Sequence, residues 1–231
     1  MVKRKGKKAK KLSLKEKQNR QVIWAVVLML SVIAIIFIVP FIMKNFINKF
    51  VYVGFDFYKT KAGDFFFYTT KIPLVNSYGF PIGDYQISFR NDPRELEDIE
   101  VDIIDNKISF EKEEIVYISI ESEAPICDDN IIAVVGLTNF LDKFGNLKVK
   151  GAMHDVYYTS GNDLVYVTCD NHPDNTILLV KTGNETEIKK TGKNCYELIY
   201  KDCEINRAAE KFIITILEGY MEKYMEFYGD K

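Results

Sequence analysis

Only two histidines, His154 and His172, are available to a chain that carries 33 acidic residues and four cysteines. A Ser-His-Asp or Cys-His constellation would have to use one of them. No serine occupies a G-x-S-x-G elbow, and the cysteines are better explained as paired. Proton transfer between two carboxylates needs only two acids at the right separation, and with 32 acids beyond residue 43 such pairs arise by chance. Enzymatic chemistry therefore has no specific support, and we assign no catalytic residue and no cofactor.

Metal chemistry is weighed in the same way. The run Cys169-Asp170-Asn171-His172-Pro173-Asp174-Asn175 gathers oxygen and imidazole donors of the kind that hold Ca²⁺ or a transition metal. It lacks the EF-hand spacing and glycine, whereas Pro173 with the surrounding Asp and Asn residues builds a polar turn between strands. The turn is the reading we adopt. Asp128-Asp129-Asn130 also looks like a cation site, but acids suit the N-terminus of the helix that follows and cap it. Asn91-Asp92-Pro93 is a turn-initiating run after a strand. No metal ligand is assigned.

The cysteines point to a compartment. Cys127, Cys169, Cys195 and Cys203 lie no closer than eight residues apart, which does not suit the close pairs of a zinc site. An even count reads as two disulfides in an oxidising environment, with three connectivities open. If Cys195–Tyr200 is a strand running almost to Cys203, those two Cα atoms are about 26 Å apart, whereas a disulfide needs roughly 4.4–6.8 Å. In a meander Cys169 would lie near the far end of the next-but-one strand, so the expected pairs are Cys169–Cys203 and, by elimination, Cys127–Cys195. Asn184-Glu185-Thr186 is a glycosylation sequon in a turn, with Asn184 as the acceptor.

What positions these residues begins at the N-terminus. Residues 1–43 carry ten Lys or Arg against Glu16 alone, a net +9. The whole chain is −2, which leaves −11 on residues 44–231, from 21 basic and 32 acidic groups. Val22–Met43 is 22 residues without a charge, fifteen of them Leu, Ile, Val or Phe. As a helix it spans about 33 Å against roughly 30 Å of hydrocarbon. A cleaved signal peptide would have a shorter core and a small-residue cleavage site, neither of which is present. The expected plan is a basic cytoplasmic tail at 1–21, a transmembrane helix at 22–43, a juxtamembrane linker at 44–49 and an exported domain at 50–231. Positive charge resists translocation, so the N-terminus stays in the cytoplasm and the C-terminal domain lies outside the cell membrane. The tail has no interleaved aromatic to stack bases, so anionic lipid headgroups, not nucleic acid, are its expected partner.

The exported part reads mostly as strands: Phe50–Tyr58, Asp64–Ile72, Asp84–Arg90, Val101–Ile104, Lys107–Phe110 after a turn at Asp105-Asn106, and Ile115–Glu121. Asp129–Phe144 then changes period, placing Ile131, Val134, Val135, Thr138 and Leu141 on one helical face, with Gly145 as the stop. Leu147–Lys150, Asp155–Thr159, Leu164–Thr168, Thr176–Lys181 and Cys195–Tyr200 follow as strands. From Ile205 to Phe227 apolar residues recur at helical spacing, with Glu204, Arg207, Glu210 and Lys211 among those on the other face. That stripe is expected to pack on the domain's own sheet, and pairing with a second copy of the chain is the alternative. The expected fold class is α+β, mainly antiparallel, with one internal and one C-terminal amphipathic helix.

Phe89-Arg90-Asn91-Asp92-Pro93-Arg94 and the Asn194-Cys195-Tyr196…Asp202-Cys203-Glu204 run sit on this plan of basic tail, single helix and four-cysteine domain. In that combination the chain resembles small N-terminally anchored exported proteins of archaea. The resemblance implies no activity and no site residues. The function expected is a non-catalytic envelope domain that binds a protein or glycan outside the cell. A pilin-like structural subunit is one alternative, although fifteen residues separate Gly6 from the apolar core and no Glu lies five residues into it. An envelope enzyme is the other.

Overall fold

The computed structural model describes residues 14–42, 48–76, 78, 80–103, 108, 110, 115–155 and 165–228. The chain divides into two compact units, Met1–Lys49 and Phe50–Lys231. In the first, helix α1 (Leu14–Ile42) holds Pro40 in its last turn, where the missing N–H costs little. Its segment Asn19–Ile42 is long and apolar enough to cross a membrane. Large apolar side chains from Val22 to Ile42 are exposed on every side of it, which suits a lipid solvent and not a protein core.

The second unit has an α+β fold with two sheets. Strands β1 (Lys49–Tyr52), β2 (Phe55–Ala62), β3 (Phe65–Val75) and β4 (Pro81–Phe89) form a four-stranded sheet in that order, with β4 at an edge. Buried Phe55 and Phe57 alternate with exposed Asp56 and Tyr58, and Tyr68, Thr70 and Ile72 repeat the pattern on β3, so only one face is covered. The single strand expected over Phe50–Tyr58 is broken by a two-residue turn at Val53 and Gly54, with φ of 50° and 77°. Positive φ at both positions fits a tight hairpin. Valine is a poor residue for that conformation, so Gly54 alone signals the turn in the sequence.

The larger sheet has the order β5-β10-β11-β9-β6-β7-β8. Its strands are β5 (Glu100–Asp102), β6 (Ile115–Ile120), β7 (Lys148–Met153), β8 (Val165–Tyr166), β9 (Thr176–Thr182), β10 (Glu187–Gly192) and β11 (Cys195–Tyr200). β6 and β7 are parallel neighbours joined through α2 (Asn130–Lys143). β6–β9, β9–β11, β7–β8 and β5–β10 are also parallel, and β10–β11 is the antiparallel pair, so this sheet is mixed. Both faces of its centre are covered, which is why β6 and β9 read as unbroken apolar runs and not as alternation. β10 was not expected: EIKKTG buries only Ile188, and β5, its neighbour on one side, is three residues long. The expected strand over 107–110 with its turn at 105–106, and the expected strand Asp155–Thr159, fall largely outside the described residues.

A single core joins the inner face of the four-stranded sheet, α2, α3 (Ile205–Tyr228) and one face of the larger sheet. α3 buries Ile205, Ala208, Ala209, Phe212, Ile213, Ile214 and Leu217, in line with the stripe expected to pack on the domain itself. Glu210, expected on the solvent face, is buried with them. α2 is turned relative to expectation: Ala133, Leu137, Phe140 and Leu141 are buried, while Ile131 is 76% exposed and Val135 50%. This helix is apolar nearly all round, so its period fits two stripes. Contact of Phe140 and Phe144 with Tyr85, and of Phe144 with Tyr220, selects the bulkier one. At its end Gly145 is required by close approach, since a Cβ there would lie 2.6 Å from the Leu141 carbonyl oxygen.

The disulfides are Cys127–Cys203 and Cys169–Cys195, with Cα separations of 5.6 and 5.7 Å, and not Cys169–Cys203 with Cys127–Cys195. β11 does hold Cys195 and Cys203 at its opposite ends, as the strand length demands. The meander assumption fails because β6, β9 and β11 are parallel. Residues preceding β9 and β11 therefore meet at one end of the sheet, and residues following β6 and β11 meet at the other.

Candidate functional site

The last residues of β4 run into Arg90 and Asn91, and Pro93 opens a short 3-10 turn, Pro93–Leu96. Asp92 caps that turn, accepting the Arg94 N–H at 3.1 Å, and its carboxylate takes both Nε (2.9 Å) and Nη2 (2.6 Å) of Arg94. These bonds hold the Asp92 carboxyl below the usual carboxylate range. The Arg94 guanidinium in turn lies 4.0 Å from the centre of the Phe50 ring. The turn is thereby fixed to the sheet it leaves.

Glu210 anchors the same segment from behind. Its Oε1 accepts the Arg90 N–H at 2.6 Å, and its Oε2 accepts the Asn91 N–H at 3.0 Å and Asn91 Nδ2 at 2.7 Å. Burial pushes this carboxyl above its ordinary value, against the pull of those donors and of Asn206. Two main-chain donors and the Asn91 side chain thus fasten the end of β4 to this carboxyl.

Arg90 is the hub. Its Nη1 meets Asp129 at the start of α2 at 2.8 Å, and its guanidinium carbon lies 4.7 Å from the centre of the Phe65 ring. Asp128 or Asp129 was expected to cap α2; Asp129 holds the N-cap position without a side-chain cap bond, and its Oδ1 meets Arg90 instead. On one side of Arg90 lies an inner cavity of about 200 Å³ between β4, α2 and α3. Its polar side chains are Asn139, Asn206, Arg90 and Glu210, while Gln86 and Ser88 border it from β4 with their side chains on the exposed face of the sheet, and Ala133, Gly136 and Ala209 make the room. On the other side an outer cavity of about 330 Å³ is bordered by Asp64, Phe65, Asp92, Glu95 and Asp129. Arg90 and Asn206 line both. Such a concave site, with a few convergent polar groups on rigid elements, is the form a ligand pocket takes.

The residues singled out from the sequence lie elsewhere. Cys127–Cys203 joins the approach to α2 with the approach to α3, and so ties together two walls of the inner cavity. Asn184 is exposed between β9 and β10, and the hydroxyl of Thr186 in the same sequon donates to Glu204. Asn171 Oδ1 accepts the Thr168 N–H at 2.8 Å and lies 2.7 Å from His172 Nδ1, whose ring stands 5.4 Å from that of Tyr117. Among the described residues no group of three His, Cys, Asp or Glu side chains is placed to hold a metal ion. His154 follows β7, and its Nδ1 is buried without a partner among the described residues. Neither histidine lines either cavity.

From the sequence, Asn91-Asp92-Pro93 reads as a turn and residues 89–94 carry a resemblance without a role, so the part they play here was missed. A signal existed. Glu210 lies four residues after Asn206 and three before Ile213, inside the apolar stripe, so a lone carboxylate on the buried face required donors. No protein-family model, curated protein or solved structure matches this chain.

Proposed function

We propose that this protein is a membrane-anchored exported domain that binds a glycan, without catalysis, in the cleft divided by Arg90. α1 serves as the anchor, and the ten cations ahead of its apolar core, which begins at Val22, keep the N-terminus in the cytoplasm. The tail lies on anionic headgroups. Two disulfides favour an oxidising compartment for the Phe50–Lys231 unit.

The observation that carries the ligand class is the lining of the inner cavity. Asn139, Asn206 and Arg90 offer donors and acceptors close together, as the hydroxyls of a sugar ring require, and Tyr85 adds an aromatic wall. The volume suits a single ring, not a long chain. Binding is favoured over catalysis because the two buried carboxylates of the cleft are engaged, Glu210 by three hydrogen bonds from residues 90 and 91 and Asp92 by Arg94. The test is a glycan array probed with the full chain in lipid nanodiscs, beside Gly136→Leu, which fills the inner cavity from a helix position with open space around it. Retention of a glycan class by the natural protein and its loss in the variant is the expected result. No retention above empty nanodiscs overturns the reading.

A second reading, a structural envelope subunit, is favoured by the exposed apolar side of α2, where Ile131 and Val135 stand beside Ile132, which is 42% exposed. Sedimentation of the full chain in detergent distinguishes it: an oligomer dissolved by Val135→Lys would support assembly through this face, and a monomer would end it.

A further inference from the structure

We infer that the tip of the β2–β3 hairpin is a second membrane contact, resting Phe65 and Phe66 in the headgroup region of the bilayer that α1 spans. The inference depends on the anchored reading above and goes beyond it.

The hairpin outruns the core. Burial alternates along β2 and β3 as far as Phe57 and Tyr68, but every residue from 60 to 66 is exposed, on both faces of the ribbon. The ladder nevertheless stays paired to the end, with Lys61 opposite Phe66 and Ala62 opposite Phe65. The tip turns at Gly63, whose φ of +62° suits glycine. A well-formed ribbon thus presents Phe65 at 57% and Phe66 at 46% exposure, large rings left open to solvent even with the Arg90 guanidinium lying over one side of Phe65. Cations stand beside them: Lys59 Nζ lies 4.5 Å and Lys61 Nζ 5.7 Å from the centre of the Phe66 ring, and Asp64 is the acid at the turn. Rings that sink among acyl chains while neighbouring ammonium groups reach phosphates are the pattern of an interfacial contact.

Connectivity selects lipid as the partner. β1 and β2 are neighbours joined by the turn at Val53–Gly54, so the tip lies toward the end of the sheet at which β1 begins. β1 has four residues and β2 has eight, so the tip reaches about 13 Å past the start of β1. Six residues separate Ile42, the last residue of α1, from Lys49, and that covalent path of seven Cα–Cα steps spans at most roughly 25 Å. A tether of this length presents the hairpin to the bilayer surface at high effective concentration, so weak contacts are sufficient.

The test places the full chain in phosphatidylcholine vesicles containing phosphatidylglycerol and a phospholipid with a photoactivatable diazirine near its headgroup, and maps lipid adducts after irradiation. Adducts are expected in α1 and also within residues 60–66. Phe65→Ser combined with Phe66→Ser should lower the hairpin adducts at least about fivefold and leave those in α1 unchanged. Lys61→Glu, which removes no apolar contact, should lower them as well, and so should omission of the anionic lipid. Adducts confined to α1 overturn the inference and leave the anchor standing. An absence of adducts in α1 overturns the anchor itself. Hairpin adducts that persist in all the variants also overturn the inference, because they would show labelling without recognition.

Discussion

Glu210 and Asn91 are joined by two hydrogen bonds, from the Asn91 N–H at 3.0 Å and from Asn91 Nδ2 at 2.7 Å, across a separation of 119 residues. With the Arg90 N–H on the other oxygen, one carboxylate fastens the end of β4 to α3. Removing it strands main-chain donors in a buried place, which costs more than the bonds themselves contribute. Glu210→Ala is expected to lower the unfolding free energy by about 3 kcal/mol, read from the denaturant midpoint at constant m-value.

The same carboxyl gives a pH signature. Its folded pKa is raised above the ordinary carboxylate value by burial. The folded state therefore holds the proton more tightly than the unfolded state. The stabilisation is complete below the ordinary carboxylate range and is lost as pH rises through the raised folded value. Glu210→Gln should flatten that part of the stability-against-pH curve. Equal slopes for variant and parent over this window would contradict the assignment.

Asp92 behaves in the opposite sense. Its bonds to Arg94 hold its folded pKa low, so its contribution is present above the ordinary carboxylate range and is lost as pH falls through the lowered value. The Arg94 side chain is 53% exposed, which screens the ion pair, so the cap is the larger part. Asp92→Ala should cost about 1 kcal/mol at pH 7, and the two proteins should converge in acid.

The disulfides should differ in weight. Cys127–Cys203 closes a separation of 76 residues and Cys169–Cys195 one of 26. In the chain-entropy account, losing the longer closure costs about 1 kcal/mol more. Paired Cys→Ser variants compared by denaturation at equal protein concentration check this, and peptide mapping without reduction checks the pairing.

Gly136 sits in the interior of α2 with open space where a Cβ would point. Gly136→Ala should raise stability by about 0.5–1 kcal/mol through helix propensity alone. A loss of stability would mean that the inner cavity is tighter there than its geometry indicates.

The elements that could be read from sequence were those whose pattern has one physical cause. β6 carries a short apolar run and α3 a long stripe at helical spacing, and the structure places both within a residue or so of expectation. α2 was located correctly but faced wrongly, because its residues satisfy two stripes and only the aromatic contacts of Phe140 and Phe144 decide between them. The turn at Val53 and β10 were missed because tertiary context overrides their local preferences. The disulfide pairing depended on strand direction, which no local pattern encodes. The cleft depended on Arg90, Asp129 and Glu210, which stand far apart in sequence and meet only once β4, α2 and α3 have packed.

The longer disulfide also sets how the Phe50–Lys231 unit yields to a pull. Tension drawn from the N-terminus enters at β1, a four-residue strand at the edge of its sheet, and would unzip that sheet strand by strand. It cannot lengthen anything between Cys127 and Cys203, because force passes through the sulfurs and bypasses the 76-residue separation. Stretched from both ends, the oxidised chain is shorter than the reduced one by roughly 270 Å, and the inner cavity's helical walls stay leashed at their roots while the sheet beside them peels away.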